Sequence, residues 1–246
     1  PEKDALRMAN HTRVYHNRPS LEVVLEAVTK QFQSGEGAIQ FAPESIARAN
    51  ADLLNTSELK TEFIDIYCDQ GKEEAGRWLQ TNHGPMNKDE LEHRLGRYGL
   101  NPCGEILGAD FHCNLAEVHL NQIDPSDEQD LADAFKAAAL SVACLLNHHF
   151  EVDRYRQSRE WDPIVGVSFT GLFDFFVHAF GTPWLKWWES GRPNTEQGII
   201  FKQEEEKHLT NWKRIVKETV WEYCDRHDLH RPNRCTTVQP AGTKSL

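Results

Sequence analysis

Asn101-Pro102-Cys103-Gly104-Glu105-Ile106 interrupts a chain otherwise rich in helical periodicity. Pro102 disfavours the helical region for Asn101, and Gly104 frees the backbone beside the thiol, so this stretch is extended or tightly turned. In the extended form alternate side chains share a face, which groups the Asn101 amide, the Cys103 thiol and the Glu105 carboxylate. Gly108-Ala109-Asp110 offers a turn, and Cys113 opens a second alternating run to Leu120 that can lie near the first. Two thiols across a turn suit redox or radical use. A packed cysteine or a metal ligand is the plainer reading of either.

The hexapeptide closely resembles the finger-loop motif of ribonucleotide reductases. Cys113-Asn114-Leu115-Ala116-Glu117-Val118-His119-Leu120 resembles the monomeric, adenosylcobalamin-dependent ribonucleoside-triphosphate reductases, as do Gly166 to Asp174 and Cys235 to Ser245, in the family's order. The resemblance implies an α/β fold: part, mostly the second half, of a ten-stranded α/β barrel with a cysteine-bearing finger loop at its centre. Residues 1–99 are then a mainly helical lead-in, 100–120 the finger loop, and 121–246 the second half-barrel ending in a phosphate loop. The first half-barrel is expected to be absent, and the chain reads as an internal piece of a longer protein.

Roles follow from the resemblance residue by residue. Cys103 matches the thiyl-radical position, generated with adenosylcobalamin, that removes hydrogen from the ribose 3′-carbon. Glu105 matches the general base at the 3′-hydroxyl, and Asn101 the amide that holds the substrate hydroxyls. Cys113 matches one member of the reducing dithiol, whose partner in the family lies far upstream; no cysteine before Cys68 fills that position here. By itself this chain is therefore expected not to turn over. The implied partners are a ribonucleoside triphosphate, a thioredoxin-like reductant, a deoxynucleotide effector bound outside this chain, and the remainder of the reductase. Three other readings stay open: the large subunit of a reductase that uses a separate metal-containing radical subunit, a non-catalytic nucleotide-binding fragment, and a structural zinc protein.

Pro240-Ala241-Gly242-Thr243-Lys244-Ser245 ends like a nucleotide P-loop but lacks the first glycine at the required spacing. A small-residue loop after a strand, with a lysine and two hydroxyls, still suits phosphate, and the resemblance assigns it the substrate's phosphates. The formal charge of −11 argues against a broad basic surface for polymeric nucleic acid. Six cysteines without a Cys-x-x-Cys pair do not make a disulfide scaffold, and no apolar run approaches a membrane span, so a reducing cytoplasm is expected. His148-His149 invites a metal reading, yet adjacent histidines diverge and no zinc-site spacing recurs nearby, so no metal site is expected.

Along the chain, Pro1 to Arg18 reads as an irregular entry or a solvated helix end. Ser20 caps a helix whose Leu21, Val24, Leu25, Val28 and Phe32 form one buried stripe up to Gly35. Ala38 to Phe41 is a short strand or an extended link, Pro43 opens a helix, Ser57 to Leu79 is helical with a break at Gly71, and Lys88 to Arg97 is a charged helix. Ser126 and Gln129 form a capping-box pattern for a helix with Leu131, Phe135, Val142 and a core Cys144. Ile164 to Phe169 is a buried strand, followed by an aromatic helix from Leu172 to Phe180. Thr195 to Arg226 is a long charged helix, and Cys235 to Gln239 a strand with a packed Cys235.

Overall fold

The computed structural model describes residues 12–35, 37–101 and 103–240. The chain divides into two compact units, Pro1–Asp110 and Phe111–Leu246. Both mix helices and strands.

In the first unit, strand β1 (Thr12–Tyr15) pairs in parallel with β2 (Ala38–Phe41) through the crossover helix α1 (Leu21–Ser34). The strand at Thr12–Tyr15 replaces the irregular entry expected there: β-branched and aromatic Thr12, Val14 and Tyr15 suit a pleated surface. Ser20 caps α1 by accepting from the Val23 N–H, as its sequence suggests. The apolar stripe of α1 is not buried, however. Leu21, Leu25, Val28 and Phe32 are exposed, and Ala27 is the helix's buried residue.

Four helices follow: α2 (Ala42–Ala49), α3 (Ser57–Gln70), α4 (Lys72–His83) and α5 (Lys88–Leu95). Ile46, Leu54, Phe63, Tyr67, Leu79 and Leu95 make their common core. Two buried arginines cross this core's edge. Arg94 reaches Asp52 at 2.9 Å and Glu90 at 3.0 Å, and both Arg94 and Arg97 donate to Oδ1 of the fully buried Asn50. Pairing is what makes these charges tolerable inside a protein. A short antiparallel hairpin, β3 (Gly99–Leu100) and β4 (Leu107–Gly108), is the last element of this unit.

The second unit is a three-stranded parallel sheet in the order β5 (Leu115–His119), β6 (Ile164–Thr170), β7 (Arg234–Thr236). Leu115 stands opposite Gly166 and Glu117 opposite Ser168. The connections are α6 (Glu128–Ala143) with α7 (Asp153–Trp161), then α8 (Leu172–Glu189) with α9 (Glu196–Arg226). Strands alternating with helices suit parallel pairing, because each crossover helix returns the chain to the same end of the sheet. Val118, Val165, Val167 and Cys235 turn one sheet face to Phe135, Val142, Trp212, Val216 and Val220 of the helices. α8 is kinked at Gly181, where Pro183 also removes a helical donor.

Two further local expectations fail for identifiable reasons. The cap of α6 is Asp127, which accepts from the Asp130 N–H, because the Ser126 hydroxyl is already bonded to Asp124. Cys144 lies past the end of α6 in a 3₁₀ turn, which rotates it out of the core; it is exposed and its thiol donates to Ser141 O. Among the described residues no helix is long and apolar enough to cross a membrane.

Candidate active site

Cys103 sits at the tip of the β3–β4 hairpin and is exposed. The loop is a tight turn, not the extended strand that would align three side chains by alternation. Gly104 N donates to Asn101 O at 3.0 Å, and Gly104 has φ +81°, a conformation glycine adopts without strain. Asn101 overrides the alternation: its side-chain Oδ1 accepts the backbone N–H groups of both Glu105 and Ile106 at 3.0 Å. Asn101 N also donates to Ile106 O at 3.3 Å. The amide therefore braces the loop from inside, with its Nδ2 left over as a donor. Ile106 is buried, which anchors the loop's base, while Glu105 is half-buried. Asn101, Cys103 and Glu105 are thus brought together in one turn.

The hairpin's two feet are held by side chains. Gln40 of β2 donates Nε2–H to Tyr98 O at 2.5 Å, just before β3. His93 of α5 bonds through Nε2 to Ala109 O at 3.2 Å, just after β4.

Cys113 belongs to the second unit, one residue before the buried Asn114, and is exposed. His112 Nδ1 donates to Asn114 Oδ1 at 2.9 Å, and Asn114 O accepts from Gly166 N at 2.8 Å, so the residues on both sides of the thiol are fixed. A cavity of about 20 Å³ lies beside His112 and Asn114, lined also by Phe150 and Arg159. It has room for about one water and none for a nucleotide.

The sheet face opposite the helices carries Glu117, Ser168 and Thr170 at period two. Gly166 lies on that face where two chains approach closely: a Cβ there would stand 2.6 Å from Leu115 Cδ2 and 3.0 Å from Thr237 Cγ2. Beyond β7 the chain runs along this face. Thr237 N donates to Val167 O at 3.1 Å, and the buried Gln239 donates its N–H to Ser168 Oγ at 3.1 Å. Glu117 is opposite Ser168, and Cys113 is four residues before Glu117, at most about 14 Å of chain. Pro240 is exposed at the end of this path, and Ala241 to Ser245 lie outside the described residues.

Ser168 and Gln239 were not among the residues singled out from sequence. The signal was available: Gly166, Ser168 and Thr170 alternate with Val165, Val167 and Phe169, so the strand has a polar and an apolar face. The remaining cysteines have other surroundings. Burial, reinforced by Asp225, pushes the Cys224 thiol up to about 11, and burial pushes Cys235 up to about 12. Both are core residues that stay protonated. His148 stacks on His112 with ring centroids 6.5 Å apart. Among the described residues no group of three His, Cys, Asp or Glu is disposed to hold a metal ion.

The chain is similar to two proteins named adenosylcobalamin-dependent ribonucleoside-triphosphate reductase. One, from Lacticaseibacillus paracasei, is 29% identical over 236 residues, covering 80% of this chain and 31% of the relative. The other, from Levilactobacillus brevis, is 27% identical over 151 residues, covering 59% of this chain and 20% of the relative. The chain thus spans about a third or less of the length of these relatives. It matches no protein-family model and no solved structure.

Proposed function

We propose that this chain is a catalytic segment of an adenosylcobalamin-dependent ribonucleoside-triphosphate reductase, which converts ribonucleoside triphosphates to 2′-deoxyribonucleoside triphosphates. The observation that carries the reading is the exposed Cys103 at the tip of a braced hairpin, with Asn101 and Glu105 in the same turn. Similarity to two reductases of that name supports it. In this reading the β5–β7 sheet and its helices are part of a ten-stranded barrel. Residues 1–99 lead in, 100–120 form the finger loop, and 121–246 belong to the second half-barrel.

The site suits the cofactor in one testable respect: the thiol that must meet it is exposed, and among the described residues, apart from Gly104's own chain neighbours, nothing lies within 4 Å of a Cβ built there. When bound, adenosylcobalamin supplies the one-electron chemistry that removes the hydrogen atom from the Cys103 thiol. Cys103 Sγ takes the hydrogen atom from the ribose 3′-carbon and later returns it. Glu105 accepts the 3′-hydroxyl proton, and Asn101 Nδ2 donates to the substrate hydroxyls, the role its braced Oδ1 leaves open. The 2′-hydroxyl departs as water while Cys113 and a second thiol outside this chain give up two hydrogens and become a disulfide. Pro240, Ala241, Gly242, Thr243, Lys244 and Ser245 are the residues that hold the triphosphate, and the chain enters that stretch from Gln239, which is fixed on Ser168. A thioredoxin-like protein restores the dithiol, a deoxynucleotide effector binds elsewhere in the enzyme, and the cytoplasm supplies the reducing surroundings.

The test is deoxynucleotide formation by the full-length protein carrying this segment, from ribonucleoside triphosphates and a dithiol, with and without adenosylcobalamin. Product is expected only with the cofactor. Cofactor-independent product that still requires Cys103 would assign the segment to a reductase with a separate radical subunit. Triphosphate binding without any turnover would make it a nucleotide-binding piece.

A further inference from the structure

The Cys103 hairpin is held at both feet by polar side chains from different elements, and one of these is itself locked by a buried arginine. At the entry foot, Gln40 Nε2 donates to Tyr98 O and, at 2.9 Å, to Ser45 Oγ; Gln40 and Ser45 are both buried. At the exit foot, His93 Nε2 bonds to Ala109 O. A carbonyl can only accept, so Nε2 must carry the hydrogen. The other ring nitrogen agrees: Arg97 Nε–H, which can only donate, points at His93 Nδ1 at 3.3 Å. Arg97 thereby selects the His93 tautomer that can hold Ala109.

Arg97 has little freedom to leave this duty. It is 1% exposed, its Nη1 donates to Asn50 Oδ1 at 3.0 Å, and Asp52 stands 4.0 Å away. Asn50 is tied to α2 and α5 through Nδ2, which donates to Ile46 O and Arg94 O. The chain of contacts therefore runs from the buried end of α2 through Asn50, Arg97 and His93 to the hairpin that carries the thiol. The first unit's packing leaves the thiol exposed, yet this polar chain runs along the core's edge and ends at the hairpin's exit foot.

We propose that Gln40 and the His93–Arg97 pair are positioning residues that aim Cys103 at the reacting atoms. The inference rests on the assignment of Cys103 as the hydrogen-abstracting thiol. None of the three touches the substrate; each sets where the loop stands. Positioning of this kind matters because a displacement of about 1 Å at a reacting atom can cost on the order of 10²-fold in rate.

The test uses the full-length protein with His93→Ala, His93→Gln and Gln40→Ala. Glutamine can accept from Arg97 through its amide oxygen and donate to Ala109 O, so it replaces both functions of the neutral imidazole. His93→Ala is expected to lower kcat by on the order of 10²-fold with KM changed less than about twofold. It also speeds hydrogen exchange at the Glu105 and Ile106 amides, while His93→Gln recovers both readouts to within about threefold. Gln40→Ala, acting at the other foot, shows the same split should His93→Ala fold poorly. Equal losses in His93→Ala and His93→Gln, or unchanged exchange and kcat in Gln40→Ala and His93→Ala, would overturn the proposal. Faster exchange without any change in turnover would also overturn it, and turnover independent of Cys103 in the same preparation would place that failure in the assignment of the thiol.

Discussion

The backbone N–H of Gln239 donates to the side-chain Oγ of Ser168 at 3.1 Å, and both residues are buried. This bond fixes the path of the chain after β7 against the middle strand, on the sheet face opposite the helices. Removing the hydroxyl in Ser168→Ala leaves a buried N–H without its acceptor. The expected loss of stability is about 1–3 kcal/mol by denaturant unfolding. Because the candidate phosphate loop begins at the next residue, KM for the ribonucleoside triphosphate should rise several-fold with kcat nearly unchanged. An unaltered KM would separate this bond from phosphate binding.

Asn101 braces the loop through Oδ1, and the proposed mechanism gives its Nδ2 a separate role at the substrate. Asn101→Asp keeps an oxygen to accept from Glu105 N and Ile106 N but loses the Nδ2 donor; Asn101→Ala loses both. The aspartate variant should keep slow hydrogen exchange at those two amides while turnover falls about 10²-fold, and the alanine variant should lose both. Equal activity in wild type and Asn101→Asp would exclude the Nδ2 contact with substrate.

Gly166 marks the point where β5 and the post-β7 chain crowd onto β6. Gly166→Ala places its Cβ against Leu115 Cδ2 and Thr237 Cγ2. Thermal unfolding should report about 1–3 kcal/mol of destabilisation, the usual cost of overpacking.

The thiols separate by exposure. At pH 8, brief treatment of the native chain with a thiol reagent should modify Cys103, Cys113 and Cys144 and spare Cys224 and Cys235, read by peptide mass spectrometry. The two buried thiols also give the protein an alkaline limit. Their folded values, about 11 and about 12, lie above the ordinary value of 9.0, so the unfolded state releases these protons first. Their contribution is complete below pH 9 and is lost as pH climbs from 9 toward 12. Cys235→Ala should flatten that decline.

What the sequence disclosed depended on how local the cause was. α9 could be read from Thr195 to Arg226 because its apolar stripe lies within one segment. The break at Gly71 and the strand at Ala38–Phe41 were legible for the same reason. α1 shows the limit of periodicity: Leu21, Leu25, Val28 and Phe32 do share a stripe, but spacing says nothing about what covers it. At the hairpin, Pro102 and Gly104 announced an irregular loop, yet its shape came from the Asn101 side chain bonding ahead to two amides. The clamps leave no local signal in the sequence. Gln40 meets Tyr98 across 58 positions and His93 meets Ala109 across 16, pairings that no short motif encodes.

The most direct test of the central assignment is turnover by Cys103→Ser in the full-length protein, with triphosphate binding measured alongside. The serine hydroxyl keeps the turn and its exposure but cannot become a thiyl radical. Deoxynucleotide formation should fall at least about 10³-fold while triphosphate affinity stays within about threefold. Turnover within a few-fold of wild type would contradict the assignment of Cys103 as the hydrogen-abstracting thiol.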